Sequence, residues 1–133
     1  YKGFLPHDGH SLLDRLATNG VSLILHSDLH LSKKIYSSNR LFEAASASNL
    51  IITDRHSFIE KEFGRCVFFI DPELEAEVVV KKIQSIYAWA QANPKEAMKK
   101  TKCAHDIFSA KFSLEDQMDK IAQMHENGIT PCK

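Results

Sequence analysis

The sequence predicts an α/β domain: a doubly wound parallel sheet followed by an α-helical tail. Three observations carry that reading. Short continuous apolar runs at residues 21–25, 50–53 and 66–70 have the character of strands covered on both faces. The stretches between them carry helix start and stop signals. Beyond residue 70 only helical periodicity remains, which gives a core over 1–70 and a tail over 71–133 of one domain.

Taken in order, Lys2-Gly3-Phe4-Leu5 is a short strand ended by Pro6. Ser11 is placed to cap a helix with Asp14 near its start and Leu12, Leu13, Leu16 and Ala17 on its apolar face; Asn19-Gly20 closes it. The 21–25 strand leads into a polar loop from His26 to Ser38. A helix over 39–48 and a strand over 50–53 follow. Ser57 and Glu60 form a capping box for a short helix ending at Gly64, and 66–70 is a fourth strand. Asp71-Pro72 starts a helix with Val79, Ile83, Ile86 and Ala90 on one face. Asn93, Pro94 and Glu96 start another. Ser113 caps the last, with Leu114, Met118 and Ile121 on its apolar stripe and a stop near Gly128.

Composition narrows the function classes. At 133 residues and 44% apolar content the chain can build one real core. Its 17 basic and 17 acidic residues balance, which argues against a nucleic-acid partner and keeps any membrane contact peripheral. The basic group Lys95, Lys99, Lys100 and Lys102 reads as a solvated helix face. No apolar run approaches the length of a membrane span. Three cysteines without a paired spacing, Cys66, Cys103 and Cys132, predict reduced thiols and a cytoplasmic setting, at most peripheral to the inner face of a membrane. The chain opens at Tyr1 inside an apparent strand, which predicts a fragment of something longer.

In open parallel sheets, ligands bind beyond the carboxyl ends of the strands. The loops at 6–10, 26–38 and 54–57 leave those ends and hold most of the histidines. The run Ser37-Ser38-Asn39-Arg40-Leu41-Phe42-Glu43 places polar groups at a helix start and a carboxylate in its first turns. Free N–H groups there suit an anion, and a carboxylate suits vicinal hydroxyls, as on a ribose. His26 follows a buried strand and faces the cleft; its competing reading is a hydrogen-bonded loop histidine. Arg40 is either a phosphate contact or a salt-bridge arginine, with Asp54 as the expected partner. His56 precedes a helix and can reach a phosphate or sugar hydroxyl. His26, Asp28 and His30 alternate in a loop, a spacing short of a metal site. Tyr87 and Trp89 read as packing residues, and His105 and His125 as surface residues of the tail.

The run Asn39-Arg40-Leu41-Phe42-Glu43-Ala44-Ala45, then Leu50-Ile51-Ile52-Thr53-Asp54, Phe58-Ile59-Glu60 and Phe63-Gly64, resembles the C-terminal domain of GT-B-fold glycosyltransferases, in the group 1 and spore-maturation-protein-like types. The tail Ala104-His105-Asp106-Ile107-Phe108 agrees. The resemblance implies a Rossmann-like fold that binds a nucleotide-sugar donor. A separate N-terminal domain would receive the acceptor glycan or lipid-linked sugar. It implies a donor-ribose role for Glu43, with Ser38 and Asn39 at the helix start close to the diphosphate or sugar; Arg40, His26 and His56 join the expected donor site on the residue reading above. It implies no metal and no cofactor, and it assigns no catalytic residue. Two departures stand out. Ile35 occupies the position where retaining members often carry a second glutamate, and Ser48-Asn49 replaces the usual glycine. The alternative is a non-catalytic α/β regulatory or interaction domain that kept the fold and lost the site.

Overall fold

The computed structural model describes Asp8 and residues 10–26 and 38–126. The expected strand at 2–5, Asp28 and His30, most of the 26–38 loop and the stop near Gly128 lie outside the described residues. The elements are α1 (Ser11–Asn19), β1 (Val21–Ile24), α2 (Asn39–Ser46), β2 (Leu50–Thr53), α3 (Ser57–Phe63), β3 (Phe68–Phe69), α4 (Ala76–Ala92), α5 (Pro94–Lys111) and α6 (Leu114–Glu126). Among the described residues no helix is long and apolar enough to cross a membrane.

The three strands form one parallel sheet in the order β1-β2-β3, with Leu23 opposite Ile52 and Ile52 opposite Phe68. Successive side chains of a strand point to opposite faces, and β2 shows this directly. Ile51 packs on one face with Ile24, Leu41, Ile59 and Phe63. Its neighbours Leu50 and Ile52 pack on the other with Ile70 and Ile86. α2, α3 and α5 supply the first face and α4 the second. The chain is therefore an α/β protein built on a three-stranded parallel sheet with a helical C-terminal part.

The helix faces follow the expected periodicity, but several boundaries do not. The α4 residues Val79, Ile83, Ile86 and Ala90 join the second core face as predicted. Ser113 caps α6, its hydroxyl accepting the Asp116 N–H at 3.2 Å. α1 is not capped by Ser11. The Asp8 carboxylate accepts the N–H groups of His10 and Ser11 at 3.0 and 2.8 Å and the Ser11 hydroxyl at 2.6 Å. These bonds pull the Asp8 carboxyl down to about 2, the Ser11 hydroxyl contributing most. α3 is capped by His56, whose Nδ1 accepts the Phe58 N–H at 3.3 Å; Glu60 instead pairs with Arg55 at 2.6 Å. α4 begins at Ala76 rather than at Asp71-Pro72, because Asp71 accepts the Glu73 N–H at 3.0 Å and holds a turn there. Glu96 likewise pairs with Lys99 rather than capping α5. α2 stops at Ser46, and Ser48 takes φ 55°, the left-handed region in which glycine meets no steric cost.

β1 ends one residue early, leaving Leu25 exposed, and β3 is reduced to two residues. The Cys66 N–H donates to the Phe63 carbonyl, so residue 66 closes a turn instead of extending a strand. Cys66 is also disulfide-bonded to Cys103 of α5, their Cα atoms 5.5 Å apart. The expectation of reduced thiols at these two positions is thus corrected: a separation of 37 residues hides the pair from any spacing argument. Trp89 packs edge-on against Phe68, a packing role as expected, and Lys100 lies over the same ring.

Candidate functional site

β1 and β2 run side by side and finish together, Ile24 opposite Thr53. Each apolar run is followed by a polar residue, His26 after one and Asp54 after the other. The parallel register brings them together at the carboxyl edge of the sheet. Asp54 Oδ2 accepts the His26 backbone N–H at 2.8 Å, and Oδ1 lies 2.6 Å from His26 Nδ1. Their side chains are 1% and 2% exposed. A carboxylate so buried is tolerable because N–H groups meet both oxygens. The Ser38 N–H donates to His26 Nε2 at 3.3 Å. That bond requires a lone pair on Nε2, so the neutral ring carries its proton on Nδ1, facing Asp54. Asp54 therefore serves His26, not Arg40 as the sequence suggested.

Ser38 is also the N-cap of α2; its hydroxyl accepts the Arg40 N–H at 3.3 Å. α2 buries Leu41, Ala44 and Ala45 on the first core face. The same helix leaves Asn39 and Arg40 exposed and Glu43 half-buried. These residues, with Ser38 and His26, border a cavity of about 960 Å³. Its other wall is apolar, with Leu12 and Leu16 from α1, Leu23 from β1 and Leu25 just beyond it. Among the described residues neither Arg40 nor Glu43 has an ion-pair partner, so both charges remain available to a ligand.

Five of the six predicted site residues thus share one cavity: His26, Ser38, Asn39, Arg40 and Glu43. His56 does not line it. Its ring stacks on that of His26, centroids 5.0 Å apart, while its Nδ1 caps α3. Sequence reasoning missed the His26–Asp54 pair. The available signal was a polar residue directly after each of two apolar runs. A second, smaller depression of about 380 Å³ lies at the ends of β2 and β3, bordered by Arg55, Phe69 and Asp71. Arg55 is committed there, to Glu60 and to the Phe69 ring 5.1 Å from its guanidinium. Comparison with protein-family models, with curated proteins and with solved structures finds no match to this chain.

Proposed function

We propose that this chain is the donor-binding half of a glycosyltransferase, a doubly wound Rossmann-like domain that holds a nucleotide-sugar. The observation that carries the reading is the pair Arg40 and Glu43. Both stand on the first turns of a helix that starts at the carboxyl edge of a parallel sheet, both border one cavity, and both lack an ion-pair partner among the described residues. Glu43 would accept hydrogen bonds from the ribose diol. Arg40 and the α2 N-terminus would neutralise the diphosphate. The apolar wall would suit the base. The reaction is attack by an acceptor hydroxyl on the anomeric carbon, with a nucleoside diphosphate leaving. This domain contributes orientation and electrostatic stabilisation of that leaving group. No metal or cofactor takes part in the proposal, and the acceptor glycan or lipid-linked sugar belongs to a separate domain. The cytoplasmic setting stands against the Cys66–Cys103 disulfide, a bond that persists in oxidising compartments. The non-catalytic alternative draws its support from Ile35, in the place of a donor-facing glutamate.

Calorimetry with nucleoside diphosphates tests the proposal. Glu43→Ala should weaken binding about tenfold to a hundredfold, the loss of hydrogen bonds to a charged acceptor. Glu43→Gln should be milder, since its amide oxygen still accepts one hydroxyl. Glu60→Ala, which removes only the exposed pair with Arg55, should leave affinity unchanged. Equal binding by wild type and Glu43→Ala would sink the ribose role and leave the non-catalytic reading.

A further inference from the structure

His26 borders the cavity, yet its side chain is 1% exposed and its ring is engaged with protein. It is poorly placed to touch a ligand. What it does hold is the backbone of Ser38, the residue that starts α2. We propose that Asp54 and His26 form a positioning pair that fixes the entry of α2 and so sets where Arg40 and Glu43 stand on the cavity wall. The proposal rests on the nucleotide-sugar reading for its ligand, but not for its mechanics.

The argument follows a chain of hydrogen bonds from the sheet outward. Asp54 leaves the central strand, whose residues are all buried, so its backbone is anchored. Its two oxygens take the His26 N–H and Nδ1–H at 2.8 and 2.6 Å. Two bonds to one carboxylate fix both the ring's orientation and its tautomer. Nε2 is left presenting a lone pair, and the Ser38 N–H meets it at 3.3 Å. An N-cap residue's own N–H takes no part in the helix ladder, so this bond can locate the helix without competing with it. Ser38 then passes the constraint inward by capping the Arg40 N–H. The result is a continuous path from β2 to the turn that carries Arg40 and Glu43.

A side chain that only filled this space could be replaced by any ring of similar size. A positioning residue must keep an acceptor where Nε2 lies. His26→Phe fills the volume without an acceptor, whereas His26→Gln puts an amide oxygen near the Nε2 position. Charge matters as well. Among the described residues, the groups facing the ring include the Asp54 carboxylate at the end of β2 and the stacked His56 ring at the start of α3; α2 offers the Ser38 N–H. Protonation of His26 would set an N–H against the Ser38 N–H while keeping the bond to Asp54. The hold on α2 belongs to the neutral ring.

Hydrogen exchange of the amides of residues 38–43 and calorimetry with UDP and GDP, on the whole chain, test this together. His26→Phe should raise exchange over 38–43 and weaken nucleotide binding about tenfold. His26→Gln should keep both within about threefold of wild type. Unchanged protection of 38–43 in His26→Phe, or a His26→Gln variant as damaged as His26→Phe, would overturn the proposal. Should His26→Phe fail to fold, the exchange and binding of His26→Gln decide: values within about threefold of wild type support the positioning pair, and a larger loss of both overturns it. Absence of nucleotide binding by wild type would remove the functional reading alone, since the exchange measurements still judge the positioning pair.

Discussion

Ile51 and Ile52 are adjacent in one strand, equally buried, and packed into different cores. On the Ile51 face, among the described residues, ten buried residues converge from β1, β2, α2, α3, α5 and residues 66–67, ringed by Phe42, Phe58, Phe108 and Phe112 and crossed by the Cys66–Cys103 bond. On the Ile52 face, among the described residues, four buried residues meet, and α4 contributes one of them, Ile86. Toward β1 that second face opens to solvent at Leu23. Rigidity is therefore greater on the thicker, Ile51 face. The helix that bears the candidate site belongs to the thick face, so Arg40 and Glu43 are displayed from the better-packed half of the molecule.

The largest expected effect comes from cutting the same atoms on each face. Ile51→Ala should cost about 4–5 kcal/mol and Ile52→Ala about 2–3 kcal/mol, because the denser surroundings relax less around a new cavity. The deletions are chemically identical and adjacent, so contributions from the unfolded chain largely cancel. Urea unfolding of both variants reads the difference. Equal costs, or a larger cost at Ile52, would show that the two faces are energetically alike.

The disulfide sharpens the same contrast. Linking residues 37 apart restricts the unfolded chain, and reduction should lower stability by about 2–4 kcal/mol. Urea curves with and without dithiothreitol measure this. Peptide mapping should find Cys66 and Cys103 alkylated only after reduction. Alkylation of both before reduction would remove the cross-link from the thick face and return the chain to the reduced state that its cysteine count suggested.

How much of this was legible beforehand depends on whether a feature is local. The apolar runs at 21–25 and 50–53 announced parallel strands, and the α4 periodicity announced its buried face, because both patterns live within a few residues. Capping was legible in kind but not in address. A polar residue stood near each start, yet Asp8, His56 and Glu75 precede α1, α3 and α4 where Ser11, Ser57 and Asp71 were expected. Backbone direction at the first turn decides which neighbour reaches the free N–H groups, and the sequence does not state it. The His26–Asp54 pair and the Cys66–Cys103 bond join positions 28 and 37 residues apart, which only strand register and helix packing bring together. The stripe Leu114, Met118 and Ile121 was read correctly as one face of a helix, but it lies exposed. Periodicity shows that a face exists, not what it packs against.

The smallest expected effect concerns α1, which belongs to neither face and buries no residue fully. Its start depends on the Asp8 carboxylate and its end on Gly20 at φ 70°. Because the Asp8 carboxyl is pulled from 3.8 to about 2 in the folded chain, its ionised form is favoured by folding. The resulting stabilisation is complete above about pH 4, declines as the pH falls toward 2, and is gone below that. Amide exchange at the first turn of α1 should therefore rise across that interval, before the amides of β2 respond. Asp8→Asn should abolish the pH dependence, since its amide oxygen still accepts one N–H but never ionises. Simultaneous loosening of α1 and β2 would mean that the edge helix is integral to the core, and the division between a thick face, a thin face and a locally held edge would have to be redrawn.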